Sequence, residues 1–250
     1  MRIATWNLAR PTSGDSAKAK LLMEHIKRDC SDIWILTESH SDVSPGSDFE
    51  MRSTTGSDRA QSEGEVWTAI WCRFPIVREL AVVDPIRSVC VEIATPDGSL
   101  IVYGTVLPWL ADTWFDPLRG ADAFVSVFAK QATDWTRIQA ENPDSGFCIA
   151  GDLNQDLANS HYCGSRVGRT ALRDAIKTSG LNCLASGEFD RVSELTEGRC
   201  SAIDHNCLSE SWTSRFRRSS NVWPGESERT SSLSDHFGVW VDIETIDYTR

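Results

Sequence analysis

Five short polar clusters sit at the edges of apolar runs and carry residues able to perform metal-assisted hydrolysis. Trp6-Asn7 follows Arg2–Thr5, Glu38 follows Ile33–Thr37, Gly151-Asp152-Leu153-Asn154 follows Phe147–Ala150, and Ser234-Asp235-His236 precedes Phe237–Ile243. The fifth, Ile203-Asp204-His205, lies inside the run Ser201–Ser209. A strand that ends in Asn, Glu, Asp or His holds a metal ligand or a general base on a rigid rim. Oxygen donors with few nitrogens suit a hard cation, Mg²⁺ or Mn²⁺. A carboxylate paired with a histidine suits the activation of water beside that cation. The set reads as a site that hydrolyses a phosphoester.

The elements that must position these residues follow from the apolar patterning. Ile3–Trp6 and Asp32–Thr37 read as strands, with a helix over Ser16–Asp29 between them, where Ala19, Leu22, Met23, Ile26 and Cys30 share one face. Ser39–Glu65 is rich in Ser, Gly and Asp and reads as loop. Val66–Cys72 and Ile76–Val83 read as strands, and Pro96-Asp97-Gly98-Ser99 folds Val89–Thr95 back on Leu100–Val106 as a hairpin. Gly120–Glu141 is a long amphipathic helix and Thr170–Ser179 a shorter one ended by Gly180. Strands are expected at Leu181–Leu184, Ser201–Ser209 and Phe237–Ile243. Irregular alternation of strands and helices points to a mixed, mainly antiparallel α/β sandwich rather than a βαβ repeat. No G-x-G-x-x-G or Walker A motif is present.

The chain's 250 residues, 40% apolar and 24% charged, suit one soluble domain spanning 1–250. No apolar run approaches the about 20 residues of a membrane span. Met1-Arg2-Ile3-Ala4 enters the first strand without a signal-peptide pattern, which makes the cytoplasm the expected location. None of the eight cysteines forms a CxxC pair, and Cys72, Cys90, Cys148 and Cys207 fall in strand-like runs, so free buried thiols are expected. A net charge of −11 excludes a protein that coats nucleic acid through a broad basic surface. It does not exclude an enzyme that brings one phosphate to a metal. Nothing selects an oligomer, and an acidic monomer is the default.

Trp-Asn, Thr-Glu, Gly-Asp-Leu-Asn, Ile-Asp-His and Ser-Asp-His, in that order from Asn7 to His236, resemble the endonuclease/exonuclease/phosphatase superfamily, which includes pancreatic deoxyribonuclease and abasic-site endonucleases. The resemblance implies a four-layer α/β/β/α sandwich with the site at one rim of two packed sheets. It implies that Glu38 is the principal metal ligand, that Asn7 binds beside it through water or contacts phosphate, and that Asp235 is a further metal-site carboxylate. It also implies that Asp152 orients or deprotonates the attacking water, that Asn154 donates to phosphate, and that Asp204 orients His236 toward the phosphate. Two positions depart from the pattern. Val106 stands where many members carry His or Tyr before Pro108, and Ala9 stands where some carry an acidic residue. Valine donates no hydrogen bond.

Each residue also has a plain structural reading: Asn7 as a strand-end Asn, Asp152 and Asn154 as an Asx-turn, Ser234-Asp235 as a polar loop. His205 reads as packed or solvated, His25 as a helix-surface residue, and His40 as peripheral to the site. For substrate, Arg166 and Arg169 follow the Gly-Asp-Leu-Asn loop, while Arg215, Arg217, Arg218 and Trp223 precede Ser-Asp-His; arginines grip phosphate and tryptophan stacks a base. A solvated loop face is the equal alternative for these arginines. Trp109 and Trp114 fall in the loop after the hairpin, which the family places near the site. Three readings follow: a nuclease acting on DNA or RNA, a phosphoesterase acting on a small or lipid-borne substrate, and a binding protein that keeps the fold without turnover.

Overall fold

A computed structural model describes residues 1–56, 61–111, 118–158, 162–223 and 233–245, apart from the side chains of 217, 218 and 245. The elements are β1 (Arg2–Asn7), α1 (Ala17–Asp29), β2 (Ile33–His40), β3 (Glu50–Ser53), β4 (Glu65–Cys72), β5 (Ile76–Leu80), β6 (Ser88–Thr95), β7 (Gly98–Val106), α2 (Gly120–Glu141), β8 (Gly146–Asp152), α3 (Arg166–Thr178), β9 (Leu181–Cys183), α4 (Arg191–Leu195), β10 (Asp204–Ser209), α5 (Glu210–Thr213), β11 (Phe216–Trp223) and β12 (Gly238–Thr245). They form two mixed six-stranded sheets, ordered β11-β12-β1-β2-β4-β3 and β5-β6-β7-β8-β10-β9. Among the described residues, only the β1–β2 and β7–β8 pairs are parallel.

Strand alternation builds the layers. Along β1, Ile3 faces the core between the sheets while Ala4 and Trp6 face the outer cluster that holds Ala19, Leu22 and Ile26 of α1. Along β8, Cys148 and Ala150 face inward, while Phe147 and Ile149 pack against Phe124, Phe128 and Trp135 of α2 and Leu172 of α3. The result is an α/β/β/α sandwich. Inward positions turn polar toward one rim: Ile3, Thr5, Asn7 on β1; Ile33, Ile35, Thr37 on β2; Cys148, Ala150, Asp152 on β8. Such a gradient leaves a polar notch at the end of an apolar core, and register closes it. Asn7 pairs with Thr37, Val106 with Asp152, and Asp204 with Asp152.

Several expectations are corrected. The polar stretch after Thr37 is not all loop: Ser39 and His40 extend β2, and Glu50–Ser53 forms the edge strand β3. β5 stops at Leu80, short of Val83. α3 begins at Arg166, capped by Ser165, whose side chain accepts the Gly168 N–H at 2.9 Å; such a cap contributes about 1 kcal/mol. The arginine-rich segment before Ser-Asp-His is edge strand β11 rather than loop. The eight cysteines are free, with Cys72, Cys90, Cys148 and Cys207 buried. Among the described residues, no helix is long and apolar enough to cross a membrane.

Gly151 has a steric reason to be glycine. Its φ is +139°, and a Cβ there would lie 1.9 Å from the Thr105 carbonyl oxygen across the β7–β8 ladder. Gly180, at φ +60° after α3, has open space around it. Gly151→Ala is therefore expected to lower unfolding free energy by about 3 kcal/mol or more, and Gly180→Ala by only about 1 kcal/mol. Denaturant unfolding of both variants checks this; equal losses would remove the steric account.

Candidate active site

Asn7 bridges the two sheets at the polar rim. Its Nδ2 donates to Glu38 Oε1 at 3.1 Å and to Asp152 Oδ2 at 2.9 Å, while its Oδ1 accepts the Ala9 N–H at 2.9 Å. Strict alternation along β2 would turn Glu38 outward with Trp34 and Leu36, toward α1. Instead Glu38 adopts φ +45°, and the β2–β4 ladder pairs Thr37 with Thr68 and Ser39 with Val66 but skips Glu38. That left-handed backbone, strained for a residue with a Cβ, swings the carboxylate to the rim.

Asp152 is buried. Its Oδ1 accepts the Asn154 N–H at 2.9 Å, and its Oδ2 accepts Asn154 Nδ2 at 2.9 Å as well as Asn7 Nδ2. The Asx-turn is thus real, and it serves to hold the carboxylate. Asn154 Nδ2 also reaches the Leu107 carbonyl at 2.9 Å. Both protons of that amide are engaged inside the protein, so Asn154 here positions Asp152 rather than presenting a free donor. Burial pushes the Asp152 pKa up to about 7, against the lowering influence of His236 and with Asp204 adding to the rise.

His236 Nδ1 binds Asp204 Oδ2 at 2.7 Å, and its Nε2 lies 3.9 Å from Asp152 Oδ2. Burial works to lower the His236 pKa, but the Asp204 and Asp152 carboxylates outweigh it and push it up to about 10. Ser234 fastens this segment to β1: its hydroxyl donates to the Asn7 carbonyl at 2.7 Å and accepts the His236 N–H at 3.0 Å. Asp235 is exposed beside His236. Two cations that the sequence did not single out complete the rim. Arg10 Nε pairs with Glu38 Oε2 at 2.5 Å. Lys18 Nζ donates to the Ala9 carbonyl at 2.6 Å and feels the charges of both Asp235 and Glu38. Burial lowers the Lys18 pKa in spite of them. The basic side chains at 10 and 18 follow no hydrophobic period; only their nearness in sequence to Asn7 hinted at a role.

Oxygen donors dominate: Glu38, Asp152 and Asp204 bring carboxylates to one rim, with Asp235 at its edge. Ligand atoms of Asp152, Asp204 and His236 all lie within 4.8 Å of one another, and Asp204 Oδ1 is buried without a hydrogen-bond partner among the described residues. A buried, oxygen-rich surplus of negative charge fits a hard divalent cation.

No family model and no curated protein sequence matches this chain. Solved structures do. The apurinic/apyrimidinic (AP) endonuclease LMAP from Leishmania major superposes with a TM-score of 0.72 at 13% identity, covering 98% of this chain and 88% of that one. An AP endonuclease from Archaeoglobus fulgidus gives 0.66 at 13%, covering 98% and 100%. The 3′ phosphatase NExo from Neisseria, bound to product DNA hairpin, gives 0.66 at 15%, covering 98% and 99%. The chain has the endonuclease/exonuclease/phosphatase fold.

Within this fold, Asn7, Glu38, Asp152, Asn154, Asp204 and His236 lie together at one rim, with Asp235 at the margin. The expected substrate contacts fare unevenly. Trp109 is 55% exposed on the loop after β7, and Arg166 is exposed at the start of α3. The side chain of Arg217 and the whole of Trp114 lie outside the described residues. Arg169 is not available to a phosphate: it is buried, with Nη2 2.7 Å from Asp156 Oδ2 and Nε 2.8 Å from the Asp156 carbonyl. Nor is Trp223 a free stacking platform, since it packs edge-on against Trp6 and Trp34. His25 is half-buried, packed edge-on against Trp6. His40 uses its nitrogens on the Glu63 carbonyl and the Asp42 N–H, and His205 is buried on β10, pointing to the face opposite Asp204. Val106 is 2% exposed, and its side chain offers the site no polar atom.

Removing the Asp204 charge should bring the His236 pKa down, because that carboxylate is the leading influence raising it. Asp204→Asn is expected to lower the His236 titration midpoint by more than about one unit in metal-free buffer. Imidazole NMR signals followed against pH measure this, and an unmoved midpoint would dismiss the pair.

Proposed function

We propose that the chain is a divalent-metal-dependent phosphodiesterase and that its substrate is DNA or RNA. The observation that carries this reading is the buried Asp152 carboxylate, fixed by Asn7 and Asn154 and facing the Nε2 of an Asp204-bound histidine. A carboxylate whose pKa is raised to about 7 can take a proton from water near neutrality. His236, held charged by Asp204, donates from Nε2 to a phosphoryl oxygen and offsets the charge that develops there. Glu38, Asn7 and Asp235 would hold Mg²⁺ or Mn²⁺, which when bound draws charge from the phosphate and favours its attack by water. Arg10 and Lys18 add positive potential at a rim of a chain whose net charge is −11. Trp109, Arg166 and Arg217 are the candidate contacts to bases and flanking phosphates. Eight free cysteines accord with a reducing compartment, and the cytoplasm is the proposed location.

The test is hydrolysis by purified protein with Mg²⁺, with Mn²⁺ and with EDTA. Substrates are single- and double-stranded DNA, an abasic duplex, RNA, a chromogenic phosphodiester and inositol phosphates. Metal-dependent turnover is expected on a nucleic acid. Asp152→Ala and His236→Ala are each expected to reduce it by about 100-fold or more while leaving the fold intact by circular dichroism. Activity within tenfold of the parent in either variant would overturn the assigned chemistry. Turnover confined to inositol phosphates would move the substrate class to small phosphoesters. Silence across the panel would favour a non-catalytic binding role, which the hydrogen-bond-free side chain of Val106 motivates.

A further inference from the structure

β10 carries a second set of reactive groups on the face opposite Asp204. Cys183 Sγ lies 3.4 Å from His205 Nδ1, and His205 Nε2 lies 2.9 Å from the Gln155 carbonyl oxygen. A carbonyl only accepts, so Nε2 bears a proton and Nδ1 is the nitrogen that faces the thiol and takes its proton. Cys183 on β9 stands directly opposite Cys207 on β10. The flanking backbone bonds, Leu184 N to the Asn206 carbonyl and Glu210 N to the Gly180 carbonyl, both at 2.8 Å, make this a non-hydrogen-bonded pair. Cα atoms in such pairs are about 4.5 Å apart, within the span a disulfide bridges. Cys207 is fully buried, whereas Cys183 is partly exposed and lines a surface groove of about 430 Å³ with Arg173, Lys177, Asn182 and Ser186.

We propose that Cys183 and Cys207 are a redox pair that a hydroperoxide converts to a reversible disulfide, with Cys183 attacking and Cys207 resolving. His205 Nδ1 takes the Cys183 proton. The thiolate attacks the terminal oxygen of the hydroperoxide; an S–O bond forms, the O–O bond breaks, and the departing alkoxide or hydroxide leaves with the proton from His205. Cys207 then attacks the Cys183 sulfur. The S–S bond forms, the S–O bond breaks, and the Cys207 proton leaves with hydroxide as water. Two thiols are oxidised and one peroxide is reduced to an alcohol or water, with a second water released.

The thiols differ in the way this chemistry needs. The Cys207 hydrogen bond and the His205 charge hold the Cys183 pKa well below the usual thiol range, against the raising effect of its partial burial. Burial pushes Cys148 and Cys72 up to about 12 and Cys163 up to about 11, which leaves them inert at neutral pH.

The experiment treats reduced full-length protein with one equivalent of hydrogen peroxide at pH 7, blocks remaining thiols with N-ethylmaleimide and maps peptides by mass spectrometry. A Cys183–Cys207 cross-link is expected, reversed by dithiothreitol and formed about tenfold or more faster than oxidation of the exposed Cys30. Cys207→Ser should leave a dimedone-reactive sulfenic acid at Cys183. Cys183→Ser should leave Cys207 unoxidised. Oxidation of Cys30 first, no cross-link, or a Cys207 that oxidises equally well in Cys183→Ser would overturn the proposal. These readouts are covalent masses and do not depend on phosphodiesterase activity.

Discussion

A carboxylate buried at the meeting of two sheets sets the terms for the rest of this molecule. Taking an ionised group out of water costs several kcal/mol unless donors replace the lost hydration. Asp152 meets that demand from both sheets at once, with Asn7 Nδ2 from the first and Asn154 N and Nδ2 from the turn beyond β8. Asn7 can reach it only as the last inward residue of β1. Asn154 can reach it only by turning at φ +50°, and the Leu107 carbonyl holds that turn in place. Gly151 must be glycine because β7 lies against it where the chain enters the turn. A buried acid therefore accounts for the turn, the glycine and the polar ends of neighbouring strands together.

Backbone strain gathers at the same rim. Six described non-glycine residues have positive φ, and four of them, Ala9, Arg10, Glu38 and Asn154, surround the site. Each left-handed residue costs about 1–2 kcal/mol. The apolar ladders behind them offset this, since a fully buried aliphatic side chain contributes about 1.5–3 kcal/mol and the strands leading to the rim carry Ile3, Ile33, Ile35, Cys148 and Ala150. The geometry of Glu38 is the clearest product of this balance. Without the left-handed turn, alternation would bury its carboxylate against α1 instead of beside Asn7.

Residues at the ends of inward-facing strand positions were legible from sequence, because a period of two says which face a residue joins and an apolar run says where the strand stops. Asn7, Asp152, Asp204 and His236 drew notice as polar residues at the edges of apolar runs. The conformation of Glu38 was not legible, since nothing in the types around it announces a broken alternation. Two of the four edge strands were missed for a different reason. β3 and β11 are half solvated, so Glu50-Met51-Arg52 and the arginines at 217 and 218 look like loop. Arg169 shows the converse limit: spacing from Asp152 suggested phosphate binding, while its actual partner, Asp156, is a contact that only the fold creates. Arg10 and Lys18 reach the site through loop and helix geometry that carries no periodic signal.

β10 explains why a site at one rim can be sensitive to groups well behind it. Its six residues, Asp204 to Ser209, are all buried, yet only Leu208 is aliphatic. A central strand of this composition is stable only if each polar side chain has a partner. Asp204 binds His236, His205 spans Cys183 and the Gln155 carbonyl, Asn206 Nδ2 reaches the Val239 carbonyl at 3.3 Å, and Ser209 Oγ accepts the Phe147 N–H at 3.1 Å. Those partners lie on β8, β9, β12 and the two loops that frame the site. Leaving one buried polar group unmatched costs about 1–3 kcal/mol, so the strand ties these five neighbours to one arrangement more firmly than an aliphatic strand of equal burial would. Alternation then divides its chemistry: Asp204 serves the rim between the sheets, and His205 with Cys207 faces the helical layer. The Gln155 carbonyl, one residue beyond Asn154, is where the two faces share a support.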